Sequence, residues 1–114
     1  MTATLNSFVS ETQLTTSEVA LVSTSSSEKK FIGMATVTNT SILNVEVTLW
    51  RILEATTGTA GSGGNWTWKK TIPANTTVRI DKIMGHVLDN SMKISALADV
   101  ASVVNIDISG TTET

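Results

Sequence analysis

Apolar and polar residues alternate along this chain in short runs separated by turn residues, and that period of two decides its fold class. "NVEVTLWRIL" is the clearest run: Val45, Val47 and Leu49 share one face, and Glu46, Thr48 and Trp50 share the other. "VVNIDISG" sets Val104, Ile106 and Ile108 against Asn105 and Asp107, and "TTVRIDKI" sets Val78 and Ile80 against Arg79 and Asp81. "SMKISALA" puts Met92, Ile94 and Ala96 on one side. In "KFIGMATVTN", Phe31, Gly33, Ala35 and Val37 alternate with Ile32, Met34, Thr36 and Thr38. Gly33 in mid-run marks a bulge or a close backbone approach. "QLTTSEVALVS" adds one bent strand or a pair, "WTWKKTI" a short strand and "GHVL" an edge piece. No segment carries a helical period. About eight strands at this spacing predict an all-β antiparallel β-sandwich, Ig-like or jelly-roll-like. The expected core is Phe31, Ala35, Val37, Val45, Val47, Leu49, Val78, Ile80, Ile94, Val104, Ile106 and Ile108.

At 114 residues the chain suits one domain able to bury a core without staples. The alternating pattern starts near Gln13, so residues 1–12 are expected as an N-terminal arm, residues 13–110 as the sandwich and residues 111–114 as a fraying tail. The single proline, Pro73 in "TIPANTTVRID", cannot donate to a sheet ladder. It therefore marks a strand boundary, and "ANTT" supplies the turn that follows.

Composition removes several function classes. With no cysteine there is no disulfide framework and no thiolate chemistry. A net charge of -2 lacks the basic footprint of a nucleic-acid binder. No run approaches the ~20 apolar residues of a membrane span, and "MTATLNSFVSET" has neither the basic start nor the apolar run of a signal peptide. The expectation is a protein made in the cytoplasm, with no nucleic-acid or membrane partner. His86 is the only histidine, and no nucleophile and base stand in a recognisable pattern around it. Asp81, Asp89, Asp99 and Asp107 do not form a calcium loop. "GTAGSGGN" leads into a strand and not into a helix N-terminus, so it is no phosphate cradle. These readings predict a protein that is not an enzyme and takes no cofactor or metal.

Two features remain as candidate contact sites. Leu5, Phe8 and Val9 are apolar residues in the polar N-terminal segment, placed either to pack on their own domain or to reach a neighbour. Trp66 and Trp68, at i and i+2, point the same way from a strand beside a Gly-rich loop. They either cover the end of their own sandwich, contact a partner protein, or stack on sugar rings.

The order "TNTSILNVEVTLWRI", a Gly-rich gap, "TIPANTTVRID" and "VLDNSMKISALADVASVVNIDISG" resembles a layout of tailed-bacteriophage virion structural proteins. The resemblance spans roughly residues 13–110. It departs at "IMGHVLDNSMKI", which lacks a Gly-Asp pair before the "KISA" strand, and at the loop with two tryptophans. It implies a virion component: foremost a capsid decoration, or cement, protein that stabilises the head, with a neck or tail ring protein as the alternative. A carbohydrate-binding host-attachment module is the third reading, resting on the two tryptophans. The implied partners are other phage structural proteins, the major capsid protein or those of the neck and tail. The implied state is a homo-oligomer, with a trimer favoured at three-fold positions.

Overall fold

The computed structural model describes residues 3–53 and 66–114. Among these it has no helix and nine strands: β1 (Ala3–Gln13), β2 (Val19–Ser23), β3 (Lys29–Asn39), β4 (Val45–Leu53), β5 (Trp66–Ile72), β6 (Thr76–Arg79), β7 (Val87–Leu88), β8 (Met92–Ala98) and β9 (Val104–Glu113). They form two antiparallel sheets. The larger has the order β1-β9-β3-β6, with β7 also on β3; the smaller has the order β2-β8-β4-β5. The chain changes sheet at nearly every connection, and among the described strands β4–β5 is the one pairing of consecutive strands. The Gly-rich loop expected between β4 and β5 falls outside the described residues.

The fold is the expected β-sandwich, with one core between the sheets. Val45, Val47 and Leu49 of β4, Val104, Ile106 and Ile108 of β9, and Ile94 and Ala96 of β8 are all buried. They stand at alternate positions because side chains at i and i+2 share a face. Leu14, Ile72, Ile80, Ile83 and Leu88 complete the core from strand ends and connections. Pro73 lies just past the end of β5, where the chain leaves the smaller sheet for β6 of the larger. Asn75 then takes a positive φ of 52° to make the turn.

Three expectations are corrected. Phe31 was expected in the core, yet it is exposed, and its neighbour Ile32 is buried instead. The cause is a register shift against β9 between Ile32 and Met34, at Gly33. One extra residue there moves everything before it to the opposite face. The segment expected as an arm over residues 1–12 is a strand from Ala3, paired along β9. Thr111 to Glu113, expected to fray, pair with β1 on one side and with β3 on the other. The partners of both segments lie at the far end of the sequence, which local alternation does not reach.

Candidate interaction surface

Among the described residues, four of the nine exposed large apolar side chains gather on the outer face of the larger sheet, at the end where β3 begins. Directly opposed residues on neighbouring strands share a face, so the register assembles this surface. Leu5 opposes Thr111, Thr111 opposes Phe31, and Phe31 opposes Val87. These four residues make one row across β1, β9, β3 and β7. Leu5 is 85% exposed, Phe31 44% and Val87 42%. The next row, Ser7–Ser109–Met34, adds exposed Met34. The row on the other side, Ala3–Glu113–Lys29, adds charge, with Lys29 Nζ 3.7 Å from Asp89 Oδ1.

A groove runs beside Phe31, lined by Leu5, Met34, Ser109, Gly110 and Thr111 among others. Gly110 is fixed by sterics. A Cβ there would lie 1.8 Å from the Phe31 carbonyl oxygen and 2.9 Å from its carbon. Without a side chain at Gly110, β9 can pass the bulge of β3 at this distance.

The opposite side of the sheet at this end is closed from within. Phe8 packs on the core and Val9 is buried. Lys30 Nζ lies 5.7 Å from the Phe8 ring centroid, within cation–π range. The same ammonium donates to the Ser23 carbonyl at 2.6 Å and to Glu28 Oε1 at 3.0 Å. The bond from Lys30, then that from the Ser25 N–H at 3.1 Å, hold the Glu28 carboxyl below the ordinary carboxylate range. Arg51 Nη2 donates to the Val87 carbonyl at 3.0 Å and so holds β7 in place.

The candidates from the sequence therefore divide. Leu5 joins the exposed row, whereas Phe8 and Val9 belong to the protein's own core. A register shift between Ser7 and Val9 separates them, since in an unbroken strand Leu5 and Val9 would share a face. Trp68 opposes Leu49 and packs half-buried against the core, and Trp50 is buried on the other face of β4. The backbone of Trp66 pairs with Arg51, while its side chain lies outside what the structure describes. His86 is exposed, and its carbonyl accepts from Ile32 N–H at 2.9 Å.

A second apolar projection stands at the other end of β3. The turn joining β3 to β4 presents Ile42, 84% exposed, and Leu43, 69% exposed. Buried Asn39 organises it. Asn39 Nδ2 donates to the carbonyls of Leu43 at 2.8 Å and Ile72 at 3.0 Å, and Oδ1 accepts from Ser41 N–H at 2.9 Å. The Ser41 carbonyl accepts from Asn75 N–H at 3.1 Å, and Thr40 N–H donates to the Val103 carbonyl at 2.8 Å. The sequence reads this stretch as a turn. It does not show that two adjacent branched apolar residues inside it, Ile42 and Leu43, stay exposed.

No protein-family model matches the chain, and no curated protein matches it.

Proposed function

We propose that the protein is a non-enzymatic structural component of a bacteriophage virion, a decoration protein that cements the capsid through surface contacts. The observation that carries this reading is the exposed row Leu5–Thr111–Phe31–Val87, extended by Met34. Apolar side chains gathered on one flat face, with Lys29 and Glu113 at the rim, have the anatomy of an interface: an apolar centre and a polar border. The groove beside them is lined by aliphatic, aromatic, thioether, hydroxyl and amide groups and no titratable one, which suits adhesion to another protein better than proton transfer. The virion context comes from the resemblance of residues 13–110 to phage structural proteins. Binding only the assembled shell would stabilise that shell by mass action.

The test is co-sedimentation with heads assembled without the protein, for wild type and for Leu5→Asp and Phe31→Asp. Hundreds of bound copies per head are expected, and each variant should bind roughly thirtyfold more weakly, the scale of one lost anchor. Undiminished binding by both variants would remove the row from the contact. About six or twelve copies per particle, the symmetry of a ring, would favour a neck or tail position.

A further inference from the structure

We infer that the free edge of β1 pairs with the same edge of a second copy of this chain, antiparallel about a two-fold axis at Leu5, so that the larger sheets of the two copies join into one. The inference is independent of the virion reading. It uses the edge of the sheet, whereas the capsid contact uses its face.

β1 ends the larger sheet on one side, and among the described residues no strand pairs with its outer side. At such an edge alternate residues turn their N–H and C=O groups outward, ready to accept another strand. Native sheets block these rows with short strands, charged side chains or bulges. The other described edges are blocked in those ways. β6 has four residues and ends in Arg79, β7 has two residues, and β5 carries Lys69 and Lys70. β2 has five residues, broken by a register shift between Ala20 and Val22. β1 is the exception. From Ala3 to Ser7 it runs in unbroken register along β9, with no charge and no proline. Its register shifts begin only after Ser7, and its one charged residue, Glu11, lies beyond the first of them.

Main-chain bonds alone would accept any extended segment; the side chains single out a second copy. The unbroken stretch has Leu5 at its midpoint, 85% exposed. A two-fold axis there sets Leu5 opposite Leu5 of the second copy, Thr4 opposite Asn6, and Ala3 opposite Ser7. Leu5 gains an apolar cross-strand neighbour, Thr4 and Asn6 gain polar ones, and no like charges oppose each other. The rows behind the edge match as well. The charged row Ala3–Glu113–Lys29 runs into the uncharged row Ser7–Ser109–Met34 of the second copy. The row Leu5–Thr111–Phe31–Val87 continues in line into its own equivalent, so pairing lengthens the apolar face and leaves Phe31 and Val87 uncovered. A two-fold axis fits either kind of antiparallel pair, and the outward groups supply about four to six main-chain bonds. Because the same patch serves on both sides, the contact closes at two copies. Two short strands bury less than the area of a stable interface, so the Kd is roughly 10 μM to 1 mM.

The experiment is sedimentation of the full chain up to about 1 mM, the weakest affinity in that range. It compares wild type with Leu5→Asp, Leu5→Lys and an equal mixture of the two. Leu5 is exposed, and circular dichroism and thermal melting confirm that each variant is folded. Wild type should go from monomer to dimer and no further as concentration rises. Each variant alone sets like charges opposite each other at the axis and should dimerise about thirtyfold more weakly or worse. The mixture should regain a dimer holding one chain of each kind, because Asp then opposes Lys. Wild type that stays monomeric throughout overturns the inference. So does wild type that grows past a dimer, a mixture that restores no mixed dimer, or a single variant that dimerises like wild type. Wild type that stays monomeric in solution but gains hydrogen-exchange protection at the Thr4–Asn6 amides on heads also overturns it, and gives the edge to a strand of the shell. Dimers that form as expected without binding heads would leave the pairing standing and remove the virion reading.

Discussion

Asn39 is the buried polar residue that joins the β3–β4 turn to the end of β5. It is fully buried, and its amide reaches three backbone groups on two segments: Ser41 and Leu43 in its own turn and Ile72 at the end of β5. Asn39→Ala would take a donor from the Ile72 carbonyl and the acceptor from the Ser41 N–H, while the Leu43 carbonyl keeps the Ser41 hydroxyl, at about 1–3 kcal/mol for each group that water cannot reach. We expect a loss of about 2–4 kcal/mol in urea unfolding, with faster hydrogen exchange at Ser41 and Leu43. A cost under about 0.5 kcal/mol would mean that the turn holds without it. The sequence marks Asn39 only as a turn former, because an Asx turn and a buried asparagine joining two segments look alike until the second segment is placed. Glu28 gives the pH dependence. Its folded pKa lies below the ordinary 4.5 because Lys30 and the Ser25 N–H bind the ionised form. Its contribution to stability is fully present above about pH 4.5 and is lost as pH falls through the lower folded value. Glu28→Gln should therefore be less stable than wild type near pH 6, and the gap should close as pH falls through that lowered folded value. A gap that stays constant with pH would assign the difference to packing.

Alternation read whole strands correctly where nothing interrupted it. In β4 and β9 the expected inward residues are all buried, and β4 carries Glu46 on its other face, where it forms an ion pair with Lys69 at 3.7 Å. It failed at bulges. Phe31 and Ile32 exchange roles across Gly33, and Leu5 and Val9 face opposite sides across the shift in β1. A bulge conserves the residues of a pattern and breaks its phase, so a single sequence shows where a strand runs and loses which face it presents. Gly33 was legible as the bulge, but the steric demand it creates falls on the neighbouring strand. A Cβ at Gly33 would meet Ser109 O at an ordinary 3.6 Å, whereas one at Gly110 would collide with the Phe31 carbonyl oxygen at 1.8 Å. Backbone on both sides leaves no flexible group to yield. Gly110→Ala should cost about 3 kcal/mol or more, and Gly33→Ala under about 1 kcal/mol, both measured by chemical denaturation. The reverse order would place the close approach on the wrong strand.

At the scale of the whole molecule, the chain's two ends close the larger sheet. β1 is the first strand and β9 the last, and β9 lies between β1 and β3. Its inner side is covered by Val9, buried over the core, and by Phe8 beside it. This closure was the part of the fold least legible in the sequence. β1 is mostly polar, two register shifts break its period, and its partners on β9 are more than ninety residues away. The same arrangement divides the N-terminal strand into an exposed part and a folding part. Ala3 to Ser7 extend β1 past the core, and Leu5 is the one apolar contact they offer to the outer row. Phe8 to Gln13 cover the core and shield the β9 edge. Removing residues 1–6 should therefore leave a cooperative thermal transition, lowered by no more than a few degrees, and should weaken binding to heads as Leu5→Asp does. Removing residues 1–13 should expose the whole edge of β9 and uncover Ile106 and Ile108. A long unpaired edge over an open core invites pairing between chains, so that variant should aggregate or lose its cooperative melt. Were the 1–13 deletion to melt like wild type and stay monodisperse, β1 would contribute nothing to the fold. Its pairing along β9 would then be an attachment, separate from the closing of the sheet.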